Sequence, residues 1–504
     1  MTFLPLVGAA LVMLIPKSDE NAVKSMALLT SLAAAAVGVG MVTQFDFDRG
    51  GDLQLVTDEK WIEVINSRFI FAVDGMSLPL LLLTLLIVPL CIVYSWNHFP
   101  EPHNPKAFLS LILILETGML GTFVAQDLVL FFVFFEVVLL PMFFMIAVWG
   151  GDDRRYASLK FFIYTMFGSA LMLLSFLALY FLADGTLAGT TAHTFDMRAL
   201  SGGATANIAR GAQMWVFAGM FIGFGVKVPM FPFHTWLPDA HTQAPTVGSV
   251  ILAAVLLKLG TYGFIRIAIP ILPEAAAAWA PVIGVLAVIG IIYGALGCLA
   301  QSDMKRLIAF SSVAHMGFVM LGIATLTDFG INAAIFGMVA HGLITGMLFF
   351  IAGSMKERYH TLEIKRLGGL LVSAPKLGWI LALCTMASLG LPGLAGFWGE
   401  FPAILAAYEP ASMLNEGLFR VLMVIAALGT VLAAGYLLWL FQRTAFGTPS
   451  EEFANDPEIV DVKTTEWLAW VPMIVLIVVL GFLPSLIFDM TNPAAQLVAA
   501  AAGA

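Results

Sequence analysis

The sequence has little charge, little cysteine and no long hydrophilic stretch. Only 11% of its 504 residues are charged and 60% are apolar, whereas a soluble domain carries about 25% charged residues. The formal net charge of −9 leaves no basic face that could follow a phosphate backbone. This composition excludes a cytosolic enzyme, a disordered chain and a nucleic-acid-binding protein.

Cysteine is especially scarce. The three cysteines, Cys91, Cys298 and Cys384, lie far apart in apolar runs. This spacing excludes a disulfide framework, a CxxC zinc site and a cysteine-ligated iron–sulfur cluster within the chain. His234 and His241 are separated by a proline, and we expect no metal there. We instead expect His241 at an inner mouth of the protein.

The sequence is rich in apolar runs of the length that crosses a bilayer, about 20 residues. We predict fourteen spans, at 2–16, 25–43, 76–98, 106–123, 125–149, 158–184, 212–238, 246–268, 279–300, 307–326, 331–354, 376–406, 416–444 and 466–488. The first span lacks a basic start and a small-residue cleavage site, which predicts a retained helix rather than a signal peptide. The predicted fold class is an all-α membrane protein with about fourteen transmembrane helices.

Basic residues in the predicted loops indicate the orientation of the chain in the membrane. With the N-terminus outside, fifteen lysines and arginines fall in inner positions and seven in outer positions. We therefore predict that both termini lie on the outer side. The two remaining basic residues, Lys227 and Lys258, fall inside apolar spans.

Six ionisable residues lie in six different predicted spans, where an ionised side chain costs about 2.5–3.5 kcal/mol on insertion scales. They are Glu136, Lys227, Lys258, His315, His341 and Glu400. Any single carboxylate or histidine of this kind, Glu116 included, can be a structural residue bonded to a neighbouring helix. Six together favour function. Burial opposes the charge of a lysine while a nearby carboxylate stabilises it, and histidine titrates near neutral pH. The set therefore indicates proton transfer.

Prolines interrupt two of the spans close to these charges. Pro229 and Pro232 follow Lys227, and Pro392 precedes Glu400 by eight residues. The two breaks are 163 residues, or five spans, apart, so the two units would have opposite topology. Broken helices at matching positions are typical of the inverted repeats of transporters. We predict two inverted five-helix repeats, each with a broken helix; the alternative is that these prolines are ordinary membrane-helix residues.

Four stretches carry a resemblance to a known family. They are FFEVVLLPMFFMIAVWG, KVPMFPFHTWLPDAHTQAPT, SDMKRLIAFSSVAHMGFV and GLPGLAGFWGEF. They resemble the antiporter-like subunits of proton-pumping NADH:quinone oxidoreductase, respiratory complex I, over about 130–405 and more weakly over nearly the whole chain. Glu400 stands where L- and N-type members are expected to carry lysine, which favours the M branch.

The resemblance implies a domain organisation and a role for each buried residue. The implied domains are three N-terminal helices in 1–105, a first repeat in 106–268, a second repeat in 279–444, and a C-terminal loop with the last helix in 445–504. The implied roles are a coupling pair (Glu136 and Lys227), a central lysine (Lys258), two histidines on the hydrated path (His315 and His341), and the terminal group of the second half-channel (Glu400).

The resemblance also implies an activity and a setting. The chain would be a non-redox, proton-translocating enzyme subunit that moves H⁺ outward, driven by electron transfer elsewhere in the complex. We therefore expect no cofactor and no metal in this chain. The expected partners are L- and N-type membrane-arm subunits and lipid, in a bacterial inner membrane. Two alternatives stay open, a subunit of a multisubunit Na⁺/H⁺ antiporter and an assembly scaffold without transport.

Overall fold

The computed structural model describes residues 1–454 and 456–503, which are mostly helical. Helices dominate because a lipid environment offers backbone N–H and C=O groups no water to bond. The main elements are α1 (Leu4–Leu14), α2 (Glu20–Val42), β1 (Gln54–Ile62), β2 (Ser67–Val73), α3 (Ser77–Ser95), α4 (Pro105–Val124), α5 (Leu128–Trp149), α6 (Arg154–Leu182), α7a (Arg210–Lys227), α7b (Trp236–Gln243), α8 (Thr246–Ile271), α9 (Pro273–Leu299), α10 (Met304–Ala324), α11 (Asp328–Tyr359), α12a (Pro375–Ser388), α12b (Ala395–Ala406), α13 (Glu416–Ala445), α14 (Thr464–Phe482) and α15 (Ser485–Ala502).

Each of the fourteen predicted spans coincides with a helix or with a broken pair of helices, which confirms the all-α membrane fold. Within the part of the chain that the structure describes, eleven helices are long and apolar enough to cross a membrane. The helix α1 is shorter, at 11 residues, and the seventh and twelfth spans are divided. The number of crossings and the inverted relation of the two halves stay predictions.

The end of the last predicted span, 466–488, is wrong. The helix α14 ends at Phe482, and a separate helix, α15, begins at Ser485. Pro484 lies between the two helices; it lacks an N–H and cannot continue the hydrogen bonding of α14. The helix α15 packs against α11 instead of extending α14.

Burial separates a central group of helices from a rim. Every residue in the most apolar stretch of α10 and of α11 is buried, compared with 22% for α2 and 33% for α13. The helix α11 packs against α8, α10, α12a, α12b and α14. The rim helices expose large apolar side chains, as expected of surfaces that face lipid or other membrane proteins. The helices that carry the candidate site are thus the most enclosed ones.

A β-hairpin, which the sequence reading did not predict, occupies the polar segment between α2 and α3. The strands β1 and β2 are antiparallel, with Lys60 opposite Arg68. The hairpin is held by polar contacts on both strands. Ser67 Oγ donates a hydrogen bond to Asp127 Oδ1 over 2.9 Å, and Asp58 forms an ion pair with Arg198 over 2.8 Å. These contacts tie the hairpin to the start of α5 and to the segment before α7a.

Candidate functional site

The break in the seventh span places Lys227 at the last residue of α7a. The chain is not helical over 228–235, which contains Pro229 and Pro232. Proline removes a backbone donor and clashes with the preceding turn. The Val226 carbonyl, freed at this break, accepts a hydrogen bond from Trp236 Nε1 over 2.9 Å. The Lys227 side chain is thereby fixed in the interior, where the residue is 3% exposed.

The predicted pair of Glu136 and Lys227 is not a direct ion pair. Among the described residues, no carboxylate oxygen lies within 4 Å of Lys227 Nζ. The ammonium lies 4.7 Å from the ring centre of Phe135, the residue next to Glu136. Attraction to the face of an aromatic ring stabilises a desolvated cation by about 2 kcal/mol. The charges of Glu136 and Lys227 still act on each other, so the two residues are neighbours with an aromatic ring beside them.

The helix α8 carries Lys258 in a short α-helical stretch between two π-helical segments. These segments are Leu252–Leu256 and Phe264–Ala268. Single π-helical turns within α-helices are frequent at functional sites. The fully buried Lys258 Nζ donates to the carbonyl oxygen of Ala253 and lies 2.7 Å from Nδ1 of His341. Lysine nitrogen is the donor here, so a neutral His341 carries its own proton on Nε2.

His315 and Glu400 form the second buried pair. His315 Nδ1 lies 2.6 Å from Glu400 Oε1, a length typical of a charge-assisted hydrogen bond. The other ring nitrogen, Nε2, contacts two hydroxyl groups, Ser388 Oγ at 3.1 Å and Tyr436 Oη at 3.2 Å. Helices α10, α12a, α12b and α13 therefore all hold this one imidazole. The ring has polar partners on both sides and can receive a proton at one nitrogen while releasing one from the other.

A small cavity joins the two pairs. It has a volume of about 20 Å³ and is lined by His315, His341, Ser388 and Glu400 together with small residues of α11 and α12b. This volume is enough for about one water molecule. The two imidazole rings meet edge to face, with centres 6.0 Å apart and planes inclined by 60°. His341 Nε2 has no hydrogen-bond partner among the described residues. Four of the six predicted residues thus form one buried polar row.

The row exists because two helices approach very closely. A Cβ atom at Gly399 would lie 2.5 Å from the Cα of Gly337, closer than real side chains come. The glycines therefore let α12b lie directly against α11. Glu400 follows Gly399 in α12b, and His341 lies one turn beyond Gly337 in α11. The twelfth span is broken at 389–394, around the predicted Leu391-Pro392-Gly393.

The expectation that His241 lies at an inner mouth is wrong. His241 is fully buried in α7b and stacks on the ring of Phe349 with centres 4.5 Å apart. Apolar contacts on a short amphipathic helix, rather than exposure at a loop, determine its position. Neither ring nitrogen has a hydrogen-bond partner among the residues that the structure describes. No continuous hydrogen-bonded row links Lys227 to Lys258 within the described part of the chain.

Sequence reasoning missed the neutral partners of the site. Ser388 and Tyr436 contact His315, and Phe135 contacts Lys227. A serine, a tyrosine or a phenylalanine in an apolar run costs little to bury, so the sequence carries no signal that marks these three. Glu116, which the sequence left open, is buried and accepts a hydrogen bond from Ser31 Oγ over 2.9 Å.

Comparisons with known proteins agree with each other over the whole chain. The family described as "NADH:quinone oxidoreductase/Mrp antiporter, TM" matches residues 125–431, and "NADH-ubiquinone oxidoreductase chain 4, amino terminus" matches residues 53–122. NADH-quinone oxidoreductase subunit M of Rhodobacter capsulatus is 41% identical over 98% of this chain and 94% of its own length. NAD(P)H-quinone oxidoreductase chain 4 3 of Trichormus variabilis is 39% identical over 96% of this chain and 88% of its own.

Two solved structures have the same fold. A chain of respiratory complex I from Thermus thermophilus with bound NADH matches with a TM-score of 0.87 and 29% identity, over 100% of this chain and 99% of that chain. A chain of the Mrp complex from Dietzia matches with a TM-score of 0.81 over 98% of this chain and 96% of that chain. Identity to the Mrp chain is only 19%, so this likeness concerns the fold alone.

Proposed function

The chain belongs to the subunit M family of NADH:quinone oxidoreductase, the antiporter-like membrane subunits of respiratory complex I, and from this premise we propose that it carries protons and no redox centre. It is a multi-pass membrane protein of a bacterial complex I, and its partners are other membrane-arm subunits. We propose L- and N-type subunits as its neighbours. We propose that the redox groups lie in other subunits, since the three cysteines of this chain lie far apart in apolar runs.

The observation that carries this proposal is the buried row of Lys258, His341, His315 and Glu400. Ionisable groups inside a membrane domain are expensive and mark proton or ion paths. Here they lie within hydrogen-bond distance in two pairs, with a cavity between the pairs. A structural role needs each group to be satisfied by one neighbour. It does not need a water-sized space that two histidines and a carboxylate share.

The atoms in this row define a sequence of proton movements. Protonated Lys258 gives a proton from Nζ to His341 Nδ1, and His341 releases the proton on its Nε2 to water in the cavity. His315 takes a proton at Nε2 through the hydroxyl of Ser388 or Tyr436 and gives the proton on Nδ1 to Glu400 Oε1. Each imidazole ends with its proton on the opposite nitrogen, so it must exchange that proton or turn before the next transfer. Glu400 then releases the proton outward.

Glu136 and Lys227 load the row. A proton that enters from the inside is held on Lys227 by the charge of Glu136 and by the ring of Phe135. A charge shift in a neighbouring subunit acts first on Glu136 and weakens its hold on the Lys227 proton. Because desolvation disfavours a buried ammonium once its stabilising charge is lost, the proton moves on through water and histidine to Lys258.

The direction of transport rests on a proposed orientation. We place both termini on the outer, periplasmic side, because fifteen of the lysines and arginines then lie in inner positions and seven in outer positions. The inner group includes Lys305 and Lys356, and the outer group includes Arg68 and Arg198. In this orientation the hairpin lies outside, and protons leave Glu400 on the outer side.

Replacement of two members of the row tests the proposal. The variants Lys258→Ala and Glu400→Gln, in assembled complex in membrane vesicles, should lower NADH-driven proton pumping at least about tenfold, because no other group can take the missing step. Lys365→Ala and Glu409→Gln, at exposed loop positions, are the matched controls and should pump normally. Normal pumping by the two row variants would exclude this function.

The alternative, a subunit of a multisubunit Na⁺/H⁺ antiporter, has less support. The similarity to the Mrp chain is 19% identity, compared with 41% to subunit M. The two functions differ in what the activity requires. Proton movement that needs NADH oxidation and copurifying redox subunits supports the complex I function, whereas ion exchange that persists without those subunits supports the antiporter.

A further inference from the structure

A wide vestibule opens on the proposed inner face, separate from the buried row. It has a volume of about 520 Å³ and lies between the end of α3, the end of α5, the α7b–α8 connection and the inner ends of α10 and α11. Its titratable lining residues are Tyr94, His98, Glu101, Lys305, Lys356 and Glu357. Every one of these elements falls on the inner side in the proposed orientation.

Two of the lining residues are arranged to share one proton. His98 Nδ1 lies 3.1 Å from the carbonyl oxygen of Tyr94. A carbonyl can only accept, so Nδ1 carries a hydrogen and a neutral ring has a bare Nε2. That bare Nε2 lies 3.0 Å from Glu357 Oε2, without the alignment of a formed hydrogen bond. Two lone pairs at this distance repel, and one proton on either atom makes the contact attractive.

Neighbouring groups determine the hydrogen bonding, the pKa and the exposure of this pair at the cavity wall. Tyr94 Oη donates to Glu357 Oε1 over 3.4 Å. Burial, with help from the charge of Lys463, lowers the pKa of His98 to about 4, so near neutral pH the ring is neutral and its Nε2 is free to accept a proton. The Glu357 side chain is 30% exposed and the His98 side chain 9%. Both residues line the vestibule, and Glu357 is the more exposed member of the pair.

The inner wall of the vestibule leads towards the buried row. Lys305 lines the cavity and its Nζ donates to the Ala244 carbonyl over 2.5 Å. His241 lies one helical turn before Ala244, behind this wall. The charges of both Lys305 and Lys258 act on His241. His241 is thus the buried residue that is near both the vestibule lysine and Lys258.

We propose that the His98–Glu357 pair is a proton-collecting site, and that this vestibule is an intake for the Lys258–His341 pair. A hydronium ion from the inner solution gives its proton to Glu357, and water leaves. His98 takes up the proton at Nε2 when the carboxyl group releases it, which keeps the proton in the vestibule between transfers. This inference rests on the proposed function, because it needs a row that consumes protons.

The protein offers a matched control for this pair. His360 and Glu458 form another histidine–glutamate contact, 2.9 Å long, on connecting segments that also lie inside in the proposed orientation. Their side chains are 69% and 65% exposed, and neither residue lines the vestibule. If the loss of any histidine–glutamate contact on the inner face lowers pumping, variants of both pairs will pump less. If pumping depends on proton intake through the vestibule, only variants of His98 and Glu357 will pump less.

The test uses assembled complex in inverted vesicles, so that the inner face meets the medium. Glu357→Gln and His98→Ala should each lower NADH-driven proton pumping about fivefold, which corresponds to about 1 kcal/mol, with the amount of complex unchanged. Glu458→Gln and His360→Ala should pump like the unmodified protein. Normal pumping by Glu357→Gln overturns the proposal.

A second measurement separates proton collection from a structural role. In Glu357→Ala the deleted carboxyl group leaves space at the vestibule wall, and added formate should restore pumping in a concentration-dependent way because it can carry the proton instead. Formate should not restore Lys258→Ala. Failure of formate in Glu357→Ala means that the pair only holds α3 against α11, and the proposal falls. If Lys258→Ala itself pumps normally, the proposed function fails instead, so the two failures are distinguishable.

Discussion

Nζ of Lys258 lies 2.7 Å from Nδ1 of His341, and both side chains are enclosed by helices on every side. The contact joins a donor that can lose a proton to an imidazole that lines a water-sized cavity and whose second nitrogen has no partner among the described residues. An ammonium buried beside a neutral imidazole has no compensating carboxylate in direct contact among the described residues. The pair is therefore suited to release a proton rather than to keep one.

Replacement of Lys258 by arginine tests this release. Lys258→Arg keeps a positive charge and hydrogen-bond donors, but a guanidinium stays protonated at all accessible pH values. Proton pumping should fall at least about tenfold, to the level of Lys258→Ala, while the complex assembles normally. Pumping by vesicles that contain equal amounts of complex is the measurement. Full activity in Lys258→Arg would show that no proton leaves this position.

The ring of Phe135 should hold the proton on Lys227. Phe135→Leu removes the aromatic face 4.7 Å from Nζ and, at about 1–2 kcal/mol for a desolvated cation, should slow pumping about fivefold or more. Phe131→Leu is the matched control, because Phe131 is equally buried on the same helix and stacks on Phe135. Equal losses in the two variants would mean that core packing, not the lysine contact, is responsible.

The hydroxyl groups of Ser388 and Tyr436, which both contact His315 Nε2, should substitute for each other. Ser388→Ala or Tyr436→Phe alone leaves one hydrogen-bond partner on Nε2, so each should lower pumping only about twofold. The double variant leaves the ring without a partner there, and pumping should fall more than the product of the single effects, as expected for residues in one network. Tyr408→Phe, at an exposed tyrosine, should have no effect. Strictly multiplicative losses would contradict the shared role.

The sequence alone located the buried charges, because a charge in an apolar run is conspicuous for its cost. It also located both helix breaks, because Pro229 and Pro392 cannot continue a helix. It could not show that Lys258 pairs with His341 while His315 pairs with Glu400. These contacts depend on how α8, α10, α11 and α12b pack, and that packing depends on residues distant in the chain.

The sequence did not predict the hairpin or the aromatic ring beside Lys227, because both depend on contacts between residues distant in the chain. The strand β1 has a mostly exposed side-chain pattern, so its sequence lacks the alternation that marks a half-buried strand. The hairpin is stabilised by Asp127, which accepts a hydrogen bond from β2, and by Arg198, which pairs with Asp58 of β1; both lie far along the chain. Phe135 is one of 40 phenylalanines, and only the fold distinguishes it from the others.

The ion pairs of Asp58 should stabilise the hairpin in a pH-dependent way. Burial raises the pKa of Asp58, but hydrogen bonds from Arg198 and Arg68 outweigh it and leave the pKa below its ordinary value. A lowered folded-state pKa gives stability that is present above the ordinary pKa of about 3.9 and is lost as the pH falls through the folded value. Asp58→Asn should cost about 1 kcal/mol.

Hydrogen exchange of residues 54–73 measures this effect. At neutral pH the amides of Asp58→Asn should exchange about fivefold faster than those of the unmodified protein, and the difference should disappear in acid. Glu59→Gln is the control, since Glu59 is exposed on the same strand and forms no ion pair within the described residues. A difference that persists below the folded pKa would show that the substitution acts through packing instead.

The close approach of α11 and α12b should be as important to transport as the titratable residues themselves. In Gly399→Ala the new methyl group would lie 2.5 Å from the Gly337 backbone, so α12b must move away, at a cost of about 1–3 kcal/mol for such overpacking. That movement separates Glu400 on α12b from His315 on α10 and from His341 on α11, and proton transfer depends steeply on such separations. Pumping per assembled complex should therefore fall, in addition to any fall in the amount of complex. Both quantities are measured in the same vesicles. Gly435→Ala, on α13 where nothing lies within 4 Å of the added carbon, should change neither quantity. If Gly399→Ala lowers abundance but leaves pumping per complex intact, the spacing of the two helices does not control the row.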